Sequence, residues 1–278
     1  MLVQLVINLR SGHARVYAEA TREALRASGI DVVETAEPSE IVAKAEGIVC
    51  AGGDGTLLGA IDAAISRGLP LGIVPLGTFN DLARSLGIPL DVRGAVQTIA
   101  AGHERVIDAA RVNDTYYINE ASIGISSRIA RLQTPELKQR FGFLGVIATA
   151  FTAFRYARPI RAEVRFDGRH ERMRTIQLTV ANNKHFGGFI DVAGASIDDG
   201  ELRLYSVDIK NLYEAFMIAK AMVSGRPRDV PGLRTLHSRR FEVVTRRRHH
   251  VMADGEPAGS TPATFEVLPK ALRVFVPQ

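Results

Sequence analysis

A run of three glycines within five residues, Gly52-Gly53-Asp54-Gly55-Thr56, directly follows a short apolar segment that ends at Ala51. Glycines let the backbone turn tightly and approach a ligand closely. Residues 55–66 have the pattern of a helix, so the run joins a strand to a helix N-terminus. Free N–H groups and the positive end of the helix dipole make such a junction suitable for phosphate. The run therefore predicts an α/β fold with an anion-binding turn.

The first hundred residues alternate between apolar segments and helical patterns. The apolar segments are typical of strands buried on both faces, and Gly29 stands where a helix is expected to stop. Strands separated by helices predict a parallel sheet with helices on both faces. The expected strands are 2–8, 30–34, 47–51 and 71–75, and the expected helices are 14–28, a short one from Ser39, and 55–66.

The pattern changes near residue 105. Asn113-Asp114 separates two apolar segments and is typical of a hairpin turn, as is Asp167-Gly168. After a helical stretch at 135–156, strands succeed one another without helices, which indicates an antiparallel sandwich. We expect an N-terminal α/β domain with a parallel sheet over 1–105 and a C-terminal antiparallel β-sandwich domain over 106–278. The expected later strands are 160–166, 173–180, 202–207, 241–245, 265–268 and 272–276.

A second polar segment, Pro75-Leu76-Gly77-Thr78-Phe79-Asn80-Asp81-Leu82-Ala83-Arg84, follows the fourth expected strand. In an open parallel sheet the ligand crevice lies at the carboxyl ends of the strands, so this segment and the glycine run would face one crevice. Plainer interpretations stay open: Asp54 can cap a glycine-rich turn, and Thr78 or Asn80 can cap the following helix.

The charge of the chain is carried mainly by arginine. The 278 residues include 35 basic and 30 acidic side chains, for a net charge of +5, and only six of the basic residues are lysine. Such a surface attracts phosphates, nucleic acid or anionic lipid, or is simply a solvated face. An aromatic content of 6% without tryptophan offers few stacking platforms, so no nucleic-acid partner is expected.

The remaining composition predicts a cytoplasmic protein. A single cysteine, Cys50, excludes an intramolecular disulfide and a cysteine-based zinc cluster. No segment approaches the roughly 20 apolar residues of a membrane span, so no transmembrane segment is expected. The N-terminus has neither the basic region nor the cleavage site of a signal peptide.

Together the two polar segments resemble the diacylglycerol kinase catalytic family, which includes bacterial lipid kinases and sphingosine kinases. The resemblance extends along nearly the whole chain, and the family fold is an α/β nucleotide domain, related to that of NAD kinases, followed by a β-sandwich. This implied fold agrees with the pattern above. The further segments that carry the resemblance are 117–124, 181–188, 195–202 and Asp254-Gly255-Glu256.

The resemblance implies the residues that bind ATP, because the family uses its glycine-rich loop in place of a P-loop under the phosphates. The residues implied for ATP are Asn8, Thr35, Gly52, Gly53, Asp54, Gly55, Thr56, Leu57, Leu58, Thr78 and Asn80.

The resemblance also implies the groups that act on the substrate. Glu256, aided by Asp54, would accept the proton of the attacking hydroxyl, and Asp81 would belong to the acidic network around Mg²⁺. The implied reaction is transfer of the γ-phosphate of ATP to a lipid hydroxyl, with diacylglycerol, phosphatidylglycerol, a sphingoid base and a prenol all compatible. The residues implied for magnesium are Ser196, Asp199 and Glu201.

Two departures from the family pattern keep alternatives open. Asn8-Leu9-Arg10 stands where the family has N-P-x, and Leu58-Gly59 stands where it often has an asparagine and a glutamate. NAD kinases also carry G-G-D-G-T followed by apolar residues, so phosphorylation of a soluble nucleotide is one alternative. A non-catalytic module that binds lipid or nucleotide is the other.

A lipid substrate implies contact with a membrane. Without a span, we expect peripheral docking at the inner face of the membrane. The candidate contacts are Arg239-Arg240, Arg246-Arg247-Arg248 and the helix at 141–156. The oligomeric state is left open, and a homodimer is compatible with the sequence.

Overall fold

The structure is a computed structural model that describes residues 1–7, 12–77, 80–125, 158–183, 185–186, 190–191, 196–209, 214 and 232–278. The helix expected at 135–156 lies outside these residues. The described helices are α1 (Gly12–Ala27), α2 (Asp54–Arg67), α3 (Asp81–Ser85) and α4 (Val92–Ala101). The described strands are β1 (Leu2–Ile7), β2 (Asp31–Thr35), β3 (Gly47–Gly52), β4 (Leu71–Pro75), β5 (Glu104–Val112), β6 (Thr115–Tyr117), β7 (Glu120–Gly124), β8 (Ile160–Phe166), β9 (Arg169–Thr175), β10 (Gln177–Ala181), β11 (His185–Phe186), β12 (Ile190–Asp191), β13 (Leu202–Val207), β14 (Leu233–Ser238), β15 (Arg240–Thr245), β16 (His250–Ala253), β17 (Glu256–Ser260) and β18 (Ala263–Phe275).

Strands β1 to β4 form the expected parallel sheet, in the order β2-β1-β3-β4. Every residue of β3 and β4 is buried, as expected for strands enclosed on both faces. Gly29, just beyond α1, has a φ of 73°, which is the left-handed backbone of a glycine helix stop. Gly68 ends α2 in the same way, with a φ of 61°.

The short helix expected from Ser39 is wrong, because residues 36–46 form turns and irregular backbone. The buried side chain of Gln4 donates from Nε2 to the carbonyl of Pro38 at 3.2 Å and so ties this segment to β1. Lys44 has a φ of 67°, which does not continue a right-handed helix. A helix of only a few residues has little stability of its own, so these contacts decide the conformation.

Strand β18 joins the two parts of the chain. It pairs with β4 near Phe275, with β15 near Ala263, and with β5 along most of its length. The two strands expected at 265–268 and 272–276 are therefore one strand with a bulge between Leu268 and Leu272. The bulge keeps both ends paired with β5, so a single sheet runs from β2 to β9.

A second, antiparallel sheet has the order β14-β13-β10-β7-β16-β17. The strand expected at 173–180 is divided between the two sheets, since the chain leaves β9 at Thr175 and enters β10 at Gln177. The hydroxyl of Thr175 donates to the carbonyl of Gln177 at 2.6 Å and stabilises this change of direction. The hairpin at Asn113-Asp114 and the turn at Asp167-Gly168 are confirmed.

The described residues form two hydrophobic cores. The first lies around β1, β3 and β4 and also takes Leu272 and Val274 of β18. The second lies between the two sheets of the C-terminal part, with Phe241 and Phe265 on one side and Leu178 on the other. This arrangement confirms an α/β part followed by an antiparallel β-sandwich. The division at residue 105 stays a prediction, because β5 and β18 contribute to both cores.

Asp108 of β5 fastens two loops between the cores. Its side chain is buried, with an exposed fraction of 2%. Its carboxylate accepts the amide hydrogens of Gly200 at 2.7 Å and of Lys270, in the β18 bulge, at 2.8 Å. Because both amides lie in irregular backbone, this single carboxylate replaces the partners that a regular strand would supply.

We expect Asp108→Ala to lower the free energy of unfolding by about 2–5 kcal/mol, because two backbone amides lose their acceptor. Urea denaturation measures the change. Asp114→Ala, at an exposed position of the turn after the same strand, is the control and should change stability by less than about 0.5 kcal/mol. Equal losses in the two variants would contradict the anchoring role of Asp108.

Candidate active site

The predicted strand–turn–helix junction is present. Strand β3 ends at Gly52, Gly53 has extended backbone, and α2 begins at Asp54 without a side-chain cap at Gly53. A methyl group at Gly52 would lie 2.6 Å from Thr56 Oγ1, so only glycine fits here. Gly53 puts no side chain over the N-terminus of α2, although the amides of Thr56 and Leu57 donate to its carbonyl, and the positive end of the helix dipole there favours an anion.

The second polar loop packs directly on the first. The amide of Leu76 donates to the carbonyl of Gly52 at 2.9 Å. A methyl group at Gly77 would lie 2.5 Å from the Cα of Gly53, so the two loops touch backbone to backbone. The Asn80 side chain accepts from the amide of Gly77 and donates to its carbonyl, each at 2.9 Å. The two loops at the ends of β3 and β4 are thus in direct contact, and the ligand crevice expected between them stays a prediction.

Asp54 joins the two loops through backbone amides. Its carboxylate accepts from the amides of Asn80 and Asp81, each at 3.1 Å. These donors stand at the start of α3, so Asp54 caps that short helix from across the crevice. Burial and the nearby charge of Asp81 raise the pKa of Asp54, although the two amides oppose the shift. Asp54 is therefore a loop anchor as well as an acid in the crevice.

Asp254 brings the C-terminal part to the same place. Its carboxylate accepts amide hydrogens from Ile118 at 2.7 Å and from Asn119 and Glu120 at 2.9 Å. Burial raises the pKa of Asp254 to about 7, against the effect of the three amides, and the charge of Asp54 adds to the rise. Although the two aspartates are 200 residues apart in sequence, the charge of one therefore affects the pKa of the other.

Glu256 lies beside the first turn of α2. A methyl group at Gly55 would lie 3.1 Å from Glu256 Oε1. Glu256 is exposed, whereas Asp254, two residues earlier, is committed to its amide partners. Of the acids expected to act on the substrate, Glu256 has the more accessible carboxylate at the helix N-terminus.

Glu120 is a residue that the sequence analysis did not single out. Burial raises its pKa to about 8, and the charges of Asp254 and Asp81 contribute. The feature that could have identified Glu120 is its position at the start of a strand whose next three residues are all buried. Glu120 thus belongs to a group of four acids whose charges act on one another, with Asp54, Asp81 and Asp254.

Other residues expected near ATP have structural partners. The hydroxyl of Thr35 accepts from Gln4 Nε2 at 2.9 Å and donates to the carbonyl of Glu37 at 3.1 Å. Leu57 is buried in the first core, and Leu58 packs against the second. The expected residues Asn8 and Thr78 lie outside the described residues.

The loop expected to hold magnesium has other contacts. The carboxylate of Asp199 accepts from the amides of Ser196 and Glu201, each at 3.1 Å, and pairs with Arg203 at 2.6 Å. The side chain of Arg203 is almost fully buried, so this ion pair neutralises Asp199 internally. A cation here would have to compete with a guanidinium, and the role of this loop stays a prediction.

Within the described residues, no three acidic, histidine or cysteine side chains form a ready-made metal site. Magnesium is commonly held by one or two carboxylates together with phosphate oxygens and water. Asp54 and Glu256 are carboxylates beside the N-terminus of α2, and magnesium binding there stays a prediction.

Comparisons with protein families cover both parts of the chain. Residues 3–112 match the model of the diacylglycerol kinase catalytic domain. Residues 119–276 match the model of the YegS C-terminal NAD kinase beta sandwich-like domain.

Curated relatives extend over most of this chain. A YegS-like lipid kinase of Klebsiella pneumoniae is 34% identical over 84% of this chain and 78% of its own length. The diacylglycerol kinase of Bacillus subtilis is 29% identical over 83% and 78%, respectively. An uncharacterised protein of Synechocystis is 30% identical over 83% of this chain, which spans only 54% of that relative.

Solved structures show the same fold. A diacylglycerol kinase from Bacillus anthracis superposes with a TM-score of 0.79 at 22% identity, covering 99% of this chain and 96% of the other. An NAD kinase from Archaeoglobus fulgidus in complex with ATP gives a TM-score of 0.55 at 17% identity, covering 99% and 93%.

We expect Gly77→Ala to lower the free energy of unfolding by about 1–3 kcal/mol, because its methyl group would press on the backbone of Gly53. Gly55→Ala is the matched control: its methyl group meets only the flexible end of Glu256, and alanine favours a helix by up to about 1 kcal/mol. Thermal unfolding compares the two variants. A Gly77→Ala protein as stable as Gly55→Ala would show that the loops are not in close contact.

The raised pKa values of Glu120 and Asp254 predict how stability depends on pH. In the unfolded chain both groups titrate near pH 4, so the folded state binds protons more tightly. Their stabilising contribution is present below about pH 4 and is lost as the pH rises through about 7 to 8. We expect the free energy of unfolding to fall over this range, and Glu120→Gln to reduce the fall.

Denaturation at several pH values tests this, with the exposed Glu23→Gln on α1 as the control. An unchanged pH profile in Glu120→Gln would show that Glu120 is ionised in the folded protein at all these pH values.

Proposed function

Because the chain belongs to the diacylglycerol kinase catalytic family, we propose that it transfers the γ-phosphate of ATP to the hydroxyl group of a lipid. The observation that carries the proposal is the position of Glu256 beside the first turn of α2. An uncapped helix N-terminus and an exposed carboxylate then adjoin, as phosphate transfer to a hydroxyl requires.

The phosphates of ATP would lie over Gly53 and the first turn of α2. The backbone amides and the helix dipole hold them there, and the contact between Gly53 and Gly77 leaves no side chain in the way. Asn80 and Asp54 keep the two loops together. These residues act mainly by positioning, which is most of what phosphoryl transfer asks of a protein.

Glu256 would accept the proton of the lipid hydroxyl. It is exposed and lies within reach of a group placed at the helix N-terminus. Asp54 contributes less directly, since both of its oxygens accept backbone amides. A magnesium ion held by Asp54 and phosphate oxygens would neutralise charge on the transferring group and leave Glu256 free to act as the base.

The lipid acceptor rests on the family and on named relatives such as the diacylglycerol kinase of Bacillus subtilis. No helix among the described residues has the length and hydropathy of a membrane span. We propose that the protein meets its substrate as a peripheral protein at the inner face of the membrane, alone or as a homodimer. The similarity to an NAD kinase motivates one alternative acceptor, a soluble nucleotide.

We expect Glu256→Gln to lower kcat by about 10²–10⁴-fold, the usual contribution of a positioned base, without loss of stability because the residue is exposed. The measurement is transfer of radiolabel from ATP to a total lipid extract, followed by identification of the product. Glu23→Gln, an exposed substitution on α1, is the control.

Wild-type turnover by Glu256→Gln would refute its role as the base. Labelling of NAD without any labelled lipid would refute the lipid acceptor.

A further inference from the structure

The outer face of strands β8, β9 and β15 is unusually rich in arginine. Ala162 and Val164 of β8 are buried in the second core, so the alternate residues Arg161 and Arg165 project from the opposite face. The strand register places the outward residues of β9 and β15 beside them. We call this surface the arginine face; its outward side chains are Arg161, Glu163, Arg165, His170, Arg172, Arg174, Arg240, Glu242, Val244 and Arg246.

Carboxylates neutralise only half of the arginine face. Three acids, one of them Asp208 at its margin, stand against six arginines, which leaves three positive charges in excess. The ion pairs are Arg165–Glu163 at 3.1 Å, Arg172–Glu163 at 3.3 Å, Arg165–Glu242 at 3.6 Å and Arg174–Asp208 at 3.7 Å.

The other three arginines of the face are available to bind an anion from solvent. Arg161, Arg240 and Arg246 are exposed, and none forms an ion pair with any residue that the structure describes. Two shallow grooves, of about 550 Å³ and about 440 Å³, run between the side chains of the face. An anion can therefore reach these guanidinium groups from solvent.

We propose that the arginine face docks the protein on the anionic head groups of a lipid bilayer. The proposal rests on the proposed function, since a lipid acceptor brings the protein to a membrane. The new element is the surface of the protein that contacts the membrane. Guanidinium groups bind phosphate in a bidentate geometry, and three adjacent strands present several of them in one plane. An anionic leaflet attracts such a cluster through each of its positive charges.

Nucleic acid fits this surface less well. A DNA duplex is recognised by protein elements that enter one of its grooves, and the outer face of a sheet has no such element. A single strand is held by aromatic side chains that stack on bases. Of the outward residues of the face only His170 carries a ring, since Phe166, which also lines a groove, packs against the second core. A planar array of phosphates matches the geometry better.

Co-sedimentation of the full chain with vesicles tests the proposal. The vesicles contain phosphatidylcholine alone or phosphatidylcholine mixed with phosphatidylglycerol. We expect binding only to the mixed vesicles, and weaker binding at high salt because screening reduces the attraction. Each arginine near the surface contributes about a 5-fold increase in partitioning, so Arg161→Gln/Arg240→Gln should lower it roughly 25-fold.

Two further variants sharpen the result. Arg26→Gln/Arg93→Gln removes the same charge from exposed positions on α1 and α4 and should change partitioning by less than about 3-fold. Glu163→Gln removes the carboxylate that neutralises Arg165 and Arg172, so it should raise partitioning by about 5-fold. A defect in folding would not produce this increase.

Equal partitioning of both double variants would overturn the proposal, as would tighter binding of the wild type to a DNA oligonucleotide than to the mixed vesicles. Co-sedimentation requires no turnover, so it can fail while label transfer to a detergent-dispersed lipid succeeds. The converse outcome would contradict the lipid kinase activity and leave the docking surface intact.

Discussion

Aspartates that accept backbone amide hydrogens fix distant loops within each part of this protein. Asp54 accepts from residues 80–81, Asp254 accepts from residues 118–120, and Asp108 accepts from two further loops. A buried amide without an acceptor costs about 1–3 kcal/mol, so each carboxylate determines where a distant loop can lie. Two of these aspartates, one from each part, lie close enough that the charge of Asp54 raises the pKa of Asp254.

The departures from the family pattern after the glycine run have a physical counterpart. Leu58 packs against the second core, which couples α2 to the sandwich. A methyl group at Gly59 would lie 3.0 Å from Pro38 Cγ, so the segment after β2 covers this position closely. A larger polar residue there would have to displace Pro38. In this chain, α2 therefore makes apolar contacts at these two positions.

The sequence predicted local elements well and contacts between distant residues poorly. Strands β3 and β4, helix α2 and the glycine junction followed from hydrophobic periodicity and turn residues. Single-sequence periodicity carries no information on which strand pairs with which, so the bridging position of β18 and the division at Thr175 were missed. Glu256 was identified through a motif, whereas Glu120 becomes prominent only once burial and neighbouring charges are known.

The pairing of Leu71 with Val274 has a consequence for how the chain acquires its structure. During synthesis, β4 is made long before β18, so its unpaired edge exposes backbone hydrogen-bonding groups while the intervening residues emerge. Contacts so far apart in sequence form slowly, because a long loop must close first. The β4 edge of the N-terminal sheet is thus covered only when a strand made some 200 residues later arrives, and until then it is open to pairing with another chain.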